Sequence, residues 1–427
     1  MAQQFYLSDP ADVHHVFVGA VQDGHPAVFR LTMVASSGHL QHTSLSNASS
    51  SSPELTAELA AMVPEGAGMG GPWLAVHPSG DYIYASIRDG GPDPAHNYIA
   101  SFSVDKVSGK LHQCGQSSTV MPGSPHAVVD SSGSMLVSSL MSGGVCSFGL
   151  PQDGSLSPPN SIVELEGGGS NVCTQRISPA QSMNQGHSAQ LTLDGRVVVP
   201  DVGADKLWTF DLDTTTATLT HAPVPSWSAP PGSGPRHLAA HPGGHWVYLI
   251  LEMSCTIIAL EYDSATGGMK EINTVSTLPK DWADKGNGCR NSYSPSTGWL
   301  PEVPVSDLAP YPQSVTTADI HVSPDGRFVY GTNRVTEGEG SIAIFAVDAE
   351  TGALRPAGHA PSGGLVPRNM KIHPSGDWAL VANQNSGNIV VFRIHKHSGQ
   401  LIYQEQVDGL VAPLCIQFVP ASTAAAL

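Results

Sequence analysis

The sequence is poor in charged and aromatic residues and has no long apolar run. Only 13% of its 427 residues are charged and 6% are aromatic. No stretch approaches the roughly 18 continuous apolar residues that a transmembrane helix needs. No long segment shows the apolar 3.6-residue period of an amphipathic helix either. These absences argue against a helical membrane protein and against a helical bundle.

Basic residues are scarce, since 19 lysines and arginines stand against 36 acidic residues for a formal charge of −17. This balance argues against nucleic acid or an anionic membrane as a partner. The N-terminal residues lack the basic and apolar regions of a secretory signal. The cysteines are scattered without a CxxC pair, at positions Cys114, Cys146, Cys173, Cys255, Cys289 and Cys415. Such spacing predicts reduced thiols in a cytoplasmic protein, with no zinc site or disulfide framework.

Glycine and proline are plentiful, and they punctuate the chain in two recurring patterns. The first is a turn of the form acidic-x-x-[ST]-G-x-L, with seven copies at 34–40, 104–111, 150–156, 212–219, 262–269, 347–354 and 394–401. The second resembles HPSG, with six copies at 77–80, 130–133, 192–195, 241–244, 323–326 and 373–376. Copies of the two patterns alternate along the chain, which is the mark of a repeat architecture.

Short runs rich in Val, Ile, Tyr and Phe separate these turns, as in RFVYGTN followed by SIAIFAV. Runs of this length between turn residues predict β-strands. Four strands, here named A to D from the axis outward, recur in seven units, which predicts a seven-bladed β-propeller of four-stranded blades. We predict that residues 1–427 form one such domain.

The two ends of the chain are predicted to form one blade together. The first unit, at about 14–45, supplies strands B, C and D but no strand A, and the run 412–418 is left over after the last unit. Pairing the C-terminal strand with the N-terminal blade would close the ring and remove exposed sheet edges. Two insertions, at about 46–71 and 279–316, interrupt the spacing and are predicted to be loops. The segment 53–63 is a candidate for a short helix within the first of these loops.

The repeats also align the blades with one another. In a propeller, strand A is innermost and strand B returns antiparallel to it, so the start of A and the end of B lie at the same mouth of the channel. Twelve positions fall there: Pro72, Pro125, His187, Arg236, Ala318 and Arg368 at the start of A, and Arg88, Met141, Gly203, Glu252, Arg334 and Gln384 at the end of B.

These 12 positions hold four arginines, one glutamate and one histidine of a chain that is acidic overall. Burying a charged side chain in a narrow channel mouth costs free energy unless the charge is paired or binds a ligand. An anion-binding cleft with a titratable pair would need this set of residues. The alternative is that the polar residues only brace neighbouring blades. His237, on the opposite face of strand A, is a candidate for blade packing or for substrate binding, and the recurring His77, His241 and His373 are predicted to be turn or packing residues.

Three strings resemble the lactonase family of seven-bladed propellers: GPRHLAAHPGGHWVYLILE at 234–252, ADIHVSPDGRFVYGTNR at 318–334 and PRNMKIHPSGDWALVANQNSGNIVVFRI at 367–394. That family includes cytosolic bacterial 6-phosphogluconolactonases and the fungal carboxy-cis,cis-muconate cyclases. The resemblance implies active-site roles for His187, Arg236, Glu252 and Arg334, with neither a metal nor an organic cofactor.

The resemblance implies hydrolysis of a sugar-acid lactone, such as 6-phosphogluconolactone, as a step of carbohydrate metabolism. Glu252 and His187 are then candidates for general base and acid, and Arg236 and Arg334 for stabilising the oxyanion or holding an anionic group. The predicted partner is a small phosphorylated or carboxylated lactone, bound also by residues at the mouth, namely Arg368, Arg88, His237 and Gln384. The alternatives are a cyclase that forms a lactone and a non-catalytic interaction platform.

Overall fold

The computed structural model describes residues 13–41, 58–62, 72–86, 97–167, 184–279, 293–294, 298–299, 315–335 and 338–422. Every regular element in these ranges is a β-strand, and the strands form seven propeller sheets and one two-stranded ribbon. No helix of the described residues is long and apolar enough to span a membrane. The seven-bladed, all-β architecture predicted from the repeats is confirmed.

The strands are numbered along the chain. The first four are β1 (Val13–Gln22), β2 (His25–Val34), β3 (Leu40–Gln41) and β4 (Glu58–Met62). Blade 2 contains β5 (Trp73–Val76), β6 (Tyr82–Ser86), β7 (Tyr98–Val104) and β8 (Leu111–Ser118). Blade 3 contains β9 (His126–Val129), β10 (Met135–Leu140), β11 (Gly144–Gly149) and β12 (Pro159–Glu164). Blade 4 contains β13 (Gln190–Leu191), β14 (Val197–Asp201), β15 (Lys206–Asp213), β16 (Thr218–His221) and β17 (Trp227–Ser228).

The remaining blades follow the same order. Blade 5 contains β18 (Pro235–Ala240), β19 (Trp246–Leu251), β20 (Thr256–Asp263) and β21 (Gly268–Ser276), and the ribbon contains β22 (Tyr293–Ser294) and β23 (Gly298–Trp299). Blade 6 contains β24 (Val315–Val322), β25 (Phe328–Val335), β26 (Ser341–Val347) and β27 (Leu354–Pro361). Blade 7 contains β28 (Pro367–Ile372), β29 (Trp378–Asn383), β30 (Asn388–Ile394) and β31 (Leu401–Val407), and β32 (Val411–Pro420) ends the series.

Strand β32 closes the ring as predicted. It pairs antiparallel with β1, so that His14 lies opposite Pro420 and Val18 opposite Ile416. The sheet order β32-β1-β2-β3 makes the C-terminal strand the innermost strand of blade 1. The chain therefore holds its two ends together by a full strand of backbone hydrogen bonds and leaves no open inner edge there.

The region considered for a short helix, 53–63, contains a strand instead. Strand β4 pairs antiparallel with β2, with Arg30 opposite Glu58 and Ala27 opposite Met62. The outer edge of β2 offers unpaired backbone groups, which a strand satisfies and a helix does not. Tertiary hydrogen bonding thus overrides the local helix propensity of this segment.

Apolar side chains pack between neighbouring blades and not in one central core. At the seam of blades 7 and 1, for example, Leu380 and Val391 pack with Leu31, Ile416 and Phe418. Six similar clusters fill the other seams. This arrangement leaves the axis of the ring to the ends of the inner strands, where polar side chains can gather.

The glycine of the seven-copy turn has a packing role. Gly352 has φ +73°, and a Cβ atom at this position would lie 2.4 Å from the ring of Trp246 in the preceding blade. Its carbonyl oxygen accepts a hydrogen bond of 3.1 Å from the hydroxyl of Tyr248. A side chain at Gly352 would strain the backbone and collide with the neighbouring blade, so this copy of the turn requires glycine, whereas the copy at 212–219 has Ala217 with a positive φ at the same position.

The predicted loop insertions, 46–71 and 279–316, lie largely outside the described residues. Their roles, and the single-domain boundary at 1–427, stay predictions.

Candidate active site

A small cleft opens at the mouth of the channel where the inner strands begin. Residues from six blades line it: Trp73, Pro125, His187, Arg236, His237, Arg368 and Leu414. Four of these, Pro125, His187, Arg236 and Arg368, occupy the first position of strand A that the repeat alignment selected. The structure therefore brings the predicted mouth residues of different blades together around one space.

Bulges in the inner strands aim the two cleft arginines. Pro235 pairs with Leu251 and His237 with Ile250, so Arg236 is an extra residue in its strand. Arg368 is the extra residue of β28 in the same way, between the paired positions Pro367 and Asn369. A bulge redirects a side chain and ends regular pairing. Both guanidinium groups can therefore line the cleft, where strict alternation would not have placed them.

Glu252 links two arginines, one from its own blade and one from the next. Its Oε2 atom accepts a hydrogen bond of 3.1 Å from Nε of Arg236, and its Oε1 atom accepts one of 2.5 Å from Nη2 of Arg334. Arg334 Nη2 also donates to the carbonyl oxygen of Thr317 at 2.6 Å. The three charged side chains are largely buried, with exposures of 2% for Arg236, 16% for Glu252 and 11% for Arg334.

This geometry fixes the charge of Glu252. Burial alone would raise the pKa of its carboxyl group, but the guanidinium groups of Arg334 and Arg236 outweigh burial and lower the pKa to about 2. The side chain is therefore a carboxylate at neutral pH, already engaged by both arginines. A group with so low a pKa is a weak proton acceptor.

His187 lies in the loop that leads into β13, in blade 4. Its backbone N–H donates to the carbonyl oxygen of Pro200 at 2.9 Å, and the neighbouring Ser188 hydroxyl donates to the carbonyl oxygen of Arg236 at 2.9 Å. The His187 ring lies 5.2 Å from the ring of His237. These contacts hold an imidazole, 6% exposed, at the wall of the cleft.

Two of the predicted binding residues form a pair. Arg368 Nη1 donates to Oε1 of Gln384 at 3.1 Å, across the first and second strands of blade 7. Gln384 thus lies at the same mouth and braces a cleft arginine. Arg88 falls outside the described residues, so its assignment to the site stays a prediction.

His237 both lines the cleft and packs against the next blade, the two roles considered for it from the sequence. Its ring lines the cleft, and its Nδ1 atom lies 2.8 Å from Oδ1 of Asp319 in the next blade. Burial, followed by the charge of Arg236, lowers its pKa to about 4, although Asp319 acts in the opposite direction. His237 is therefore neutral at physiological pH.

Sequence reasoning missed Trp73 as a cleft residue and Asp319 as a partner of the site. Both occupy the same strand position as His237, four residues before the first residue of the HPSG-like turn. Trp73 precedes His77 in blade 2, His237 precedes His241 in blade 5, and Asp319 precedes Ser323 in blade 6. Aligning the blades one position further along strand A would have found them. Among the described residues, no group of three His, Cys, Asp or Glu side chains is placed to hold a metal ion.

A seven-bladed propeller that gathers a histidine, a buried carboxylate and arginines at one channel mouth has the features of a propeller enzyme that acts on a small molecule. The chain matches the family described as lactonase, 7-bladed beta-propeller, over residues 35–418. It belongs to this lactonase family. A lactonase hydrolyses a cyclic ester, so the prediction of a carboxylic-ester hydrolase is confirmed.

Relatives support the assignment. The 6-phosphogluconolactonase of Bacillus subtilis (strain 168) is 31% identical over 323 residues, covering 75% of this chain and 80% of that protein. The 6-phosphogluconolactonase of Formosa agariphila is 30% identical over 332 residues, covering 77% and 82%. The periplasmic gluconolactonase PpgL of Pseudomonas aeruginosa shares the fold, with a TM-score of 0.74 at 22% identity over 96% of this chain and 100% of that one.

Proposed function

We propose that the protein hydrolyses 6-phosphogluconolactone or a closely related anionic sugar-acid lactone at the channel mouth. The observation that carries this proposal is the cationic cleft, in which Arg236 and Arg368 line the space beside His187. The 6-phosphogluconolactonase names of the Bacillus and Formosa relatives support the same substrate.

The charges of the site favour an anionic substrate over a neutral one. Arg236 and Arg334 share the carboxylate of Glu252, so these three groups together carry one net positive charge. Arg368 adds a second cleft guanidinium, which also donates to the side-chain amide of Gln384. Guanidinium groups bind phosphate and carboxylate in two-point geometry. A phosphate on the sugar would therefore find its complement in this cleft.

The contacts described above support the following proposed roles. His187 accepts a proton from the water that attacks the lactone carbonyl and returns it to the ring oxygen as the carbon–oxygen bond breaks. Arg236 stabilises the negative charge that develops on the carbonyl oxygen. Glu252 keeps both arginines in place, because its carboxylate is already committed to them and its pKa is about 2. The products are a hydroxyl group and a carboxylic acid, which releases its proton to solvent at neutral pH.

A cytoplasmic location is part of the proposal. The described cysteines Cys114, Cys146, Cys255 and Cys415 are free thiols, which suits a reducing compartment. Fractionation of cells expressing the tagged protein tests this assignment, and recovery in an exported fraction would contradict it.

The decisive experiment is a lactone-opening assay. Purified protein is mixed with freshly generated 6-phosphogluconolactone, and acid release is followed against the spontaneous rate, with glucono-1,5-lactone and a carboxymuconate in parallel. We expect rate enhancement for the phosphorylated lactone and less for the neutral one. Turnover of the carboxymuconate alone would indicate a cyclase. If none of the three compounds reacts faster than background, the remaining alternative is a non-catalytic interaction platform.

A further inference from the structure

The carboxylate of Asp319, on the inner strand of blade 6, is surrounded by hydrogen-bond donors. Oδ1 accepts from His237 Nδ1 at 2.8 Å and from the Ile320 N–H at 3.0 Å. Oδ2 accepts from Asn369 Nδ2 at 2.6 Å, from the Met370 N–H at 3.0 Å and from His321 Nε2 at 3.2 Å. The side chain is only 3% exposed. An acceptor with this many donors is held as a carboxylate.

A carboxylate at Nδ1 determines the tautomer of His237. Because Asp319 can only accept, His237 donates from Nδ1, and its Nε2 atom keeps a lone pair. That lone pair faces Nη1 of Arg236, at 3.2 Å. Asp319 thereby makes Nε2 of His237 a hydrogen-bond acceptor for an arginine of the proposed active site.

Arg236 is oriented by acceptors on two blades. Its Nε donates to Glu252 Oε2, and its Nη1 donates to His237 Nε2 and to the carbonyl oxygen of Ala318. If Nε2 of His237 carried a proton, a donor would face a donor, and the guanidinium would lose one of the contacts that set its plane. The state of His237 therefore bears directly on where Arg236 points.

In blades 7 and 1, the strand position of Asp319 is occupied by neutral residues that accept a backbone hydrogen bond from the next blade. At the same strand position of blade 7, Asn369 Oδ1 accepts from the N–H of Ile416 at 2.8 Å. At that position of blade 1, Cys415 Sγ accepts from the N–H of Leu74 at 3.3 Å. A neutral side chain is therefore enough to tie one inner strand to the next, and the charge of Asp319 calls for another reason.

We propose that Asp319 and His237 are positioning residues for lactone hydrolysis, in which Asp319 fixes the Nδ1–H tautomer of His237 and His237 in turn orients the guanidinium of Arg236. The pair deepens the proposed function and rests on it for its catalytic consequence. Its structural content, the tautomer, is independent of any substrate.

The main test is Asp319→Asn, because Asn369 shows that asparagine can make the strand tie at this position. The matched control is Cys415→Ser, which alters the same position in blade 1, where the thiol contacts Leu74 and Gln417. We expect kcat for Asp319→Asn to fall about 10- to 100-fold with KM changed less, in line with the cost of misplacing a catalytic group. Cys415→Ser should stay within about twofold.

A second experiment measures the tautomer of His237 directly. Two-bond ¹H–¹⁵N correlation of ¹⁵N-histidine-labelled protein should show Nδ1–H for His237 in the wild type and loss of that preference in Asp319→Asn. The signal is assigned by its absence from His237→Gln. An unchanged tautomer in Asp319→Asn, or a kcat within threefold of wild type, would overturn the proposal. If the wild type opens no lactone, the proposed function fails, while the tautomer result still decides the pairing.

Two variants of His237 keep the proposal testable even if Asp319→Asn does not fold. The glutamine amide carries an acceptor and a donor on one carbon, so His237→Gln can contact both Arg236 and Asp319, whereas His237→Leu can contact neither by hydrogen bonds. We expect His237→Gln to keep activity within about fivefold and His237→Leu to lose 10- to 100-fold. Equal activity of the two variants would refute the positioning role.

Discussion

Arg236 donates a hydrogen bond of 3.1 Å from Nε to Oε2 of Glu252, and the two residues face each other across the first and second strands of blade 5. The contact joins the start of one strand to the end of its partner, at the mouth of the channel. Arg236 is one of three arginines, with Arg334 and Arg368, whose charges hold the pKa of Glu252 near 2. The carboxylate that sequence alone offers as a general base is therefore better suited to anchoring arginines.

This assignment predicts different outcomes for Glu252→Gln and His187→Asn. Removing a positioned base costs roughly 10²–10⁴-fold in rate, so His187→Asn should lose that much of kcat. Glu252→Gln keeps the shape but weakens both arginine contacts, and we expect a smaller loss, about 10- to 100-fold. The measurement is kcat and KM for 6-phosphogluconolactone, corrected for spontaneous opening.

The pH dependence provides the control for this comparison. If the rate of Glu252→Gln still rises with increasing pH as a histidine loses its proton, the result agrees with His187 as the base. If Glu252→Gln loses more activity than His187→Asn and also loses the ionisation, Glu252 is the base after all.

Arg236→Lys is expected to lower kcat/KM about tenfold or more with little loss of stability. Lysine keeps the charge, but a single ammonium group cannot reach Glu252, His237 and Ala318 with the fixed fork of a guanidinium. Arg327→Lys is a suitable control, since that arginine is 51% exposed and pairs with Asp325. A marked fall in Tm with normal activity of Arg236→Lys would indicate that the residue only braces the blades.

Arg368→Gln should discriminate between substrates. The guanidinium lines the cleft and is held by Gln384, so its removal should raise KM for a phosphorylated lactone about tenfold or more, the equivalent of one charge-assisted hydrogen bond. KM for glucono-1,5-lactone should change little. Equal effects on the two lactones would place Arg368 away from the phosphate.

The sequence contains enough information to predict the fold and to group the residues of the candidate site. Two alternating turn patterns establish the repeat, and the repeat aligns His187, Arg236, Glu252 and Arg334 at one mouth. This works because the side-chain period of a strand is two and each blade restarts the count at the same turn. Mouth residues can then be identified without knowing any contact.

Strand bulges and strand edges limit what could be predicted. The extra residue at Arg236 changes which face its side chain takes, and nothing in the local alternation indicates it. The strand at 58–62 forms because β2 has an open edge, a property of the assembled sheet. The pKa of Glu252 likewise depends on an arginine 82 positions away, Arg334.

Deleting residues 411–427 should leave the protein insoluble or much less stable. The deletion removes β32, including Ile416 and Phe418 of the apolar cluster between blades 7 and 1. Truncating even one such side chain costs about 2–5 kcal/mol. Deletion of 423–427 alone retains all of β32 and serves as the control. A Tm for the longer deletion equal to that of the full chain would contradict closure through β32.

The last prediction concerns His373, which lies in the turn after the inner strand of blade 7 and faces blade 1. Its ring is 4.5 Å from the ring of His14 and 5.0 Å from that of Phe418. Burial, followed by the neighbouring His14, lowers the pKa of His373 to about 4. The unfolded chain, with the usual histidine pKa of about 6.5, takes up a proton that the folded protein excludes. Folding stability from this group is therefore complete above pH 6.5 and declines as the pH falls toward 4.

Replacing His373 with glutamine should flatten this decline. The unfolding free energy of wild type and His373→Gln, measured by denaturant titration at steps from pH 7.5 to 4, should converge as the pH falls, even if the variant is less stable at pH 7.5. His77→Gln is the matched control, because His77 occupies the same turn in blade 2 and contacts Tyr82 instead of a second histidine. A His373→Gln curve parallel to wild type over the whole range would show that the seam between blades 7 and 1 does not exclude a proton at this position.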